Sequence, residues 1–272
     1  MSSTPPNLAA NLDRFSGFAD RYDIFRPQPP VILLDILMQL ARVVRPRLVV
    51  DLGSGTGLST LTWALRADQV IGVEPNSDMR HQAIVRSAVQ PSNVKYIDAI
   101  SSQTGLPDAS ADIVTCSQSL HWMDPAATFA EVARILREGG IFAAYDVDWP
   151  PTMNWQAEQA YNDFIERTEK IGQARGWYRG IVKWKKEEHL VRMQASGYFR
   201  FTKEIVVHHT ESGDAERLVG LALSQGSVAK VLQHNVSENE IGLDLFRREA
   251  LRTIGDRPIL WYLSYRVRLG IK

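Results

Sequence analysis

Apolar and polar positions along the chain change period several times, and the changes mark the elements. From Val31, the positions Leu33, Leu37, Leu40, Ala41 and Val44 recur at helical spacing until Pro46 intervenes. Leu48, Val49 and Val50 then form a continuous apolar run, the pattern of a strand covered on both faces. Residues 58–66 read as helix and 69–74 as a second strand. Ser77 is the expected N-cap of a helix running to about residue 87. Residues 94–97 and 112–116 read as the third and fourth strands. Phe129, Val132, Ala133 and Leu136 predict an amphipathic helix that Gly139 and Gly140 end before a fifth strand over 141–145. Strands alternating with helices predict an α/β fold with a parallel sheet covered on both faces.

The rhythm changes beyond residue 147. Ala157, Ala160, Tyr161, Phe164, Ile165 and Thr168 make one helical stripe, and a loop over 172–180 follows, carrying Trp177 and Tyr178. A helix is predicted over 187–195, a strand over 199–209, two helices over 214–233 and 237–254, and a last strand over 259–269. The last two strands are expected to be neighbours, with the intervening helices inserted between them. At the other end, residues 1–12 are expected to fray. The stretch from Phe15 to Arg26 is dense in aromatics and arginines, and Pro27, Pro29 and Pro30 stop it.

Composition narrows the function classes without naming one. The 272 residues carry 31 Lys+Arg against 31 Asp+Glu, so the balance does not point to a polyanion partner. The single cysteine, Cys116, excludes an internal disulfide and a cysteine-rich zinc site. No apolar run approaches the roughly 18 residues of a membrane span, and the polar N-terminus lacks the build of a signal peptide. The expectation is a cytoplasmic protein with no nucleic-acid or membrane partner.

The chemistry concentrates in Asp51-Leu52-Gly53-Ser54-Gly55-Thr56-Gly57, placed between the first strand and a helix. A glycine loop at that junction lets backbone approach a ligand closely. In the dinucleotide fingerprint the third glycine would fall at position 58, which is Leu58. Glu74 ends the second strand, where an acid accepts hydrogen bonds from a ribose diol, and Asp98-Ala99 follows the third.

These residues resemble the class I S-adenosylmethionine-dependent methyltransferases. Residues 51–57 are similar to the family's first motif, Glu74 to its ribose-binding acid, Asp98-Ala99 to the pair near the adenine, and Ser117 to Trp122 to its motif after strand four. Tyr22-x-x-x-Arg26-Pro27 and Leu120-His121-Trp122 look most similar to the small-molecule branch that contains trans-aconitate methyltransferase. The resemblance implies a Rossmann-like, doubly wound, seven-stranded, mostly parallel sheet with an antiparallel last strand and helical lid insertions. It divides the chain into an N-terminal arm over the cofactor (1–45), an S-adenosylmethionine-binding core (46–147), a helical lid and substrate region that includes strand 199–209 (148–258), and a final strand (259–272).

The cofactor implied is S-adenosyl-L-methionine, with S-adenosyl-L-homocysteine as product and no metal. The cofactor-binding set is Tyr22, Arg26, Asp51, Gly53, Ser54, Gly55, Gly57, Glu74, Pro75, Met79, Asp98, Ala99, Ser117 and Gln118. Asp51 is expected to order the loop and reach the methionine ammonium, or only to cap the loop. Tyr22 and Arg26, four apart, share a helix face, with Arg26 pairing the cofactor carboxylate bidentately. The acceptor, a small molecule with an O, N or C nucleophile, is expected against Trp122, Tyr145, Trp149, Ser224 and Gln225. Ser224 and Gln225 fall beside or within an apolar stripe, where polar groups need partners, either core backbone or a ligand. The aromatics Trp149, Trp155, Trp177, Tyr178 and Trp184 read either as a planar acceptor site or as the packed core of a lid. His121 is the candidate base, with ligand contact and a structural role as its other readings. Two rivals stand beside the methyltransferase: an NAD(P)-dependent oxidoreductase and a non-catalytic S-adenosylmethionine-binding protein. A monomer or homodimer fits either way.

Overall fold

The apolar runs become strands in the order their pattern predicts: β1 (Leu48–Leu52), β2 (Gln69–Val73), β3 (Val94–Ile97), β4 (Ala111–Ser117), β5 (Leu136–Val147), β6 (Phe201–Gly213) and β7 (Ile259–Ile271). In this computed structural model, which describes residues 6–13, 24–88 and 93–272, they form one sheet in the order β3-β2-β1-β4-β5-β7-β6. β1 pairs in parallel with β2 and β4, β2 with β3, and β4 with β5. β7 alone runs antiparallel, against β5 on one side and β6 on the other. Strand order reverses between β1 and β4, and the crevice outside the carboxyl ends of the strands at such a point is where α/β sheets hold ligands.

Alternation along the strands feeds two apolar layers. Val49, Ile113, Ala143, Tyr145 and Val267 face one way, and pack with the helix α2 (Val31–Leu40), which α1 (Pro6–Asp13) precedes in the chain. Val50, Val114, Cys116, Phe142 and Ala144 face the other way. After β1 come α3 (Leu58–Thr62) and, behind β2, α4 (Ser77–Ser87). α5 (Pro125–Ile135) covers the second layer with Phe129 and Val132. A third cluster lies off the sheet. α6 (Trp155–Ala174), then α7 (His189–Ala195), leave β5, and α8 (Ala215–Leu223), α9 (Gly226–Gln233), α10 (Glu238–Ile241) and α11 (Leu243–Ile254) join β6 to β7. Phe164 of α6 stacks on Phe246 of α11 at 4.9 Å, and Tyr161, Leu218, Val228 and Trp261 complete that core.

Several expectations are corrected. The first residues do not all fray, because residues 6–13 hold α1. Asn76, not Ser77, caps α4, its side chain accepting from the N–H groups of Asp78 and Met79. Gly139 and Gly140 lie inside β5 rather than ending a helix, since Leu136 already pairs with Ala111 across a register shift. The helix expected over 214–233 breaks after Leu223. Ser224 turns its hydroxyl back to the Leu221 carbonyl (2.7 Å), its own carbonyl accepts Arg26 instead of a following turn, and Gln225 is extended. The helix expected over 237–254 breaks at Gly242, whose φ is 77°. Tyr22 and the other residues of the aromatic stretch up to position 23 lie outside the described residues.

Candidate active site

One cavity of about 460 Å³ opens at the carboxyl ends of β1, β2 and β4. Gly53, Ser54 and Gly55 of the loop after β1, Glu74 and Pro75 after β2, and Met79 of α4 line one end. Ser117 and Gln118 line its middle. Trp122, Met123, Val182, Trp184 and Tyr265 also line it, as do Arg26 and Asn11 from the N-terminal segment.

The glycine loop is shaped by its neighbours. Gly53 and Gly55 have φ of 65° and 55°, a region that side chains disfavour. A Cβ on Gly53 would lie 2.6 Å from Met123 Cε and 2.7 Å from Ser119 Cβ. A Cβ on Gly55 would meet nothing within 4 Å, since that glycine borders the cavity. Gly57, at φ 86°, packs on Tyr96 and does not line the cavity.

Asp51 is fully buried and off the cavity wall. Its carboxylate accepts the hydroxyls of Thr60 (2.8 Å) on α3 and Thr115 (2.9 Å) on β4. Burial pushes its carboxyl up to about 6, against the lowering by those hydroxyls. It therefore ties the end of β1 to α3 and to β4, on either side of the loop. Glu74 lines the cavity with one carboxylate oxygen accepting the Gly55 N–H and the other the Asn76 N–H, both at 2.8 Å. Burial raises its carboxyl, and the two N–H groups work against that. Each oxygen keeps capacity for a further hydrogen bond. Asp98 stands apart: it is 68% exposed, pairs with Arg80 at 2.9 Å, and neither it nor Ala99 lines the cavity. The next residues, Ile100, Ser101 and Ser102, do.

Arg26 joins the N-terminal segment to the helices over the cavity. Its Nε donates to Ser224 Oγ (3.0 Å), its Nη2 to the Ser224 carbonyl (2.8 Å) and to Gln225 Oε1 (3.2 Å). Gln225 Nε2 in turn donates to the Tyr161 hydroxyl (2.8 Å). Ser224 and Gln225 thus stand behind Arg26 rather than on the cavity wall, and they satisfy each other's neighbours instead of waiting for a ligand. Tyr145 is also off the wall, its hydroxyl 2.6 Å from Ser59 Oγ. Trp149 packs between the sheet core and the helical cluster, with the Arg26 guanidinium 5.1 Å over its ring.

His121 is buried and does not line the cavity. Burial pushes its imidazole down to about 3, with the Asp146 carboxylate working the other way. Its Nδ1 lies 3.5 Å from Asp146 Oδ1. Burial also works to raise Asp146, yet the His121 ring and Lys186, whose Nζ is 2.7 Å from Oδ1, hold that carboxyl well below the usual carboxylate range. The imidazole therefore stands behind the cavity wall, between it and the Asp146 carboxylate.

A family model described as a methyltransferase domain matches residues 50–144, the stretch from β1 through β5 that builds the cavity floor. Over that stretch, and not over the whole chain, the likeness is to a methyltransferase. An uncharacterized methyltransferase of Mycobacterium tuberculosis is 36% identical over 126 residues, 46% of this chain and 49% of that protein. The chain spans about half the length of the curated relatives it matches. Among solved structures, an Anaeromyxobacter dehalogenans protein described as a type II methyltransferase superposes with a TM-score of 0.67 at 22% identity, over 91% of this chain and 98% of that one. The YcgJ protein of Bacillus subtilis gives 0.53 at 19% identity, over 88% and 97%. These likenesses bear on the fold. Trans-aconitate methyltransferase is not among these matches, so the narrower resemblance gains nothing from them.

Around the cavity, the residues that pattern reading missed are those contributed across long separations. Asn11 is the clearest. Its side chain donates to the carbonyls of Trp122 (3.0 Å) and Val182 (2.9 Å) and accepts the Val182 N–H (3.0 Å). Asn76 Nδ2 holds the next residue, Leu12, by its carbonyl. No spacing in the first dozen residues signals this. The aromatic group divides between its two readings: Trp184 lines the cavity, whereas Trp177 and Tyr178 pack on the helical core, and Trp155 is 75% exposed. No described helix is long and apolar enough to cross a membrane, and among the described residues no group of three or more His, Cys, Asp or Glu is placed to hold a metal ion.

Proposed function

We propose that the protein transfers a methyl group from S-adenosylmethionine to a small-molecule acceptor bound under a helical lid. The observation that carries this is one continuous cavity lined by the glycine loop, Glu74, Trp122 and Trp184. The residues of the glycine loop suit the cofactor: Glu74 keeps accepting capacity on the cavity wall, and Gly55 keeps its Cβ position open. Glu74 would hold the ribose hydroxyls, Gly53 to Gly55 the amino-acid end, and Met79 and Pro75 an apolar flank. When bound, the cofactor supplies a sulfonium methyl that an electron-rich acceptor atom displaces in line, leaving S-adenosylhomocysteine.

The chain's own part is to align and to exclude water. We assign residues 1–45 to an arm over the cofactor end and 148–258 to the lid, the two tied through Arg26 and Ser224. Trp122, Val182 and Trp184 would give the acceptor a mostly apolar wall, the usual build of a small-molecule site. His121 enters as a support of that wall rather than as a base.

Calorimetry with S-adenosylhomocysteine and with NADH separates the cofactor readings. Binding of the first alone is expected, and binding of NADH alone overturns the assignment. Transfer of a labelled methyl group from S-adenosylmethionine across a panel of carboxylate, amine and phenol acceptors then tests catalysis. Tight binding with no transfer to any acceptor would favour a non-catalytic cofactor-binding protein.

A further inference from the structure

Residues 181–185 contribute Val182 and Trp184 to the cavity wall yet belong to no helix or strand. Such a segment keeps its place only through specific contacts. Arg192 donates to the Lys185 carbonyl (3.1 Å) and lies 4.9 Å over the Trp184 ring, and two backbone contacts hold the wall residues themselves. Asn11 brackets Val182 by its N–H and its carbonyl. The Trp184 N–H donates to the His121 carbonyl at 2.8 Å, which sets Trp184 beside the turn carrying Trp122. Two residues on, Lys186 reaches down to Asp146 at the end of β5, Nζ to Oδ1 2.7 Å. Asp146 is 5% exposed and lies 3.5 Å from the ring of His121, the residue whose carbonyl holds Trp184.

We infer that Lys186 and Asp146 are positioning residues for the acceptor end of the methyltransferase cavity, their ion pair latching the 181–186 segment so that Trp184 and Trp122 form one wall. The reason is geometric. Asp146 meets both halves of that wall, the segment through Lys186 and the 120–122 turn through His121. Neither residue lines the cavity, so each acts through the indoles. Asp146 would not be stranded by loss of Lys186 alone. Arg268 Nη1 also lies 3.2 Å from its Oδ2, and Arg268 is itself held by Glu204 at 2.9 Å. Removing the lysine should therefore loosen the segment and leave the sheet intact.

Hydrogen exchange read by mass spectrometry on the full chain, with and without S-adenosylhomocysteine, tests this. Lys186→Met is expected to raise exchange at the Trp184 amide about tenfold, and to raise it in 119–123, while peptides from β1 to β5 stay protected and the affinity for S-adenosylhomocysteine stays within about threefold. Lys186→Arg, which keeps the charge, is expected to restore protection. Unchanged exchange at Trp184 in Lys186→Met, an equal rise across the sheet, or no recovery with arginine would each overturn the latch. Asp146→Asn should reproduce the Lys186→Met pattern if it folds, and an unperturbed 181–186 segment in that folded variant would count against the pair. Failure of the unmodified protein to bind S-adenosylhomocysteine would instead overturn the methyltransferase reading, and with it the acceptor role, while the exchange result on the latch stands.

Discussion

Arg26 and Ser224, 198 positions apart, share two hydrogen bonds, from Nε to the hydroxyl at 3.0 Å and from Nη2 to the carbonyl at 2.8 Å. The carbonyl is the one a longer helix would have used, so the break between α8 and α9 and the seat of the arginine are one feature. Two residues that meet this way should couple energetically. Single substitutions Arg26→Ala and Ser224→Ala, and the double, are expected to give a coupling energy of about 0.5–2 kcal/mol in denaturant unfolding. Additive losses would show that the contact contributes nothing. If Arg26 also touches the cofactor, Arg26→Ala should weaken S-adenosylhomocysteine binding by about tenfold or more and Ser224→Ala by less than about threefold, in line with loss of a charged hydrogen bond.

Glu74 gives a sharper case. Both carboxylate oxygens already hold backbone N–H groups of the loops that flank the cavity. Glu74→Ala therefore removes an anchor for Gly55 as well as the expected diol acceptor. Affinity for S-adenosylhomocysteine should fall by about 1.5–3 kcal/mol, the scale of charge-assisted hydrogen bonds. Titration calorimetry on the folded variant checks it, and an unchanged affinity would remove Glu74 from the site.

Much of this was legible in the sequence because it is local. Strand runs, the glycine loop and the acid at the end of β2 each declare themselves within a few residues, and the repeated strand-helix rhythm fixes a parallel sheet. Features set from a distance were less legible. Gly139 and Gly140 look like a helix end, but strand pairing of Leu136 with Ala111 decides the matter from a distance. Ser224 and Gln225 look like ligand-facing polar groups on an apolar stripe, and their partner is an arginine from the other end of the chain. Asp98 follows β3 as the motif demands, yet Arg80 draws it outward and the serines after it take the wall. Asn11 carries no local signal at all, since its value lies in three hydrogen bonds made to segments more than a hundred residues away.

His121 provides a test by pH. Its folded value of about 3 lies below its ordinary 6.5, because burial disfavours the imidazolium. Between those values the unfolded chain binds a proton that the folded protein does not. Stability from this group is thus complete above about pH 6.5 and falls as pH drops toward 3. His121→Asn should flatten that part of the acid unfolding curve followed by circular dichroism. Methyl transfer, once an acceptor is in hand, should show no imidazole titration between pH 6 and 8 that the asparagine variant abolishes. A lost ionisation in that range would restore histidine as a base.

Gly53 and Gly55 separate the demands of folding from those of binding. Both have positive φ, so alanine at either should cost about 1–2 kcal/mol in backbone strain. At Gly53 the new methyl must also displace Met123 and Ser119, which lie within 2.7 Å of its position. Overpacking of that kind adds about 1–3 kcal/mol. At Gly55 the methyl meets no protein atom within 4 Å and enters the cavity where the cofactor is expected. Gly53→Ala should therefore be the less stable variant in thermal unfolding. Gly55→Ala should stay folded yet bind S-adenosylhomocysteine at least about tenfold more weakly, a loss of about 1.4 kcal/mol. Full binding by a folded Gly55→Ala would place the ligand elsewhere along the loop, because the backbone at Gly55 would then have no ligand beside it.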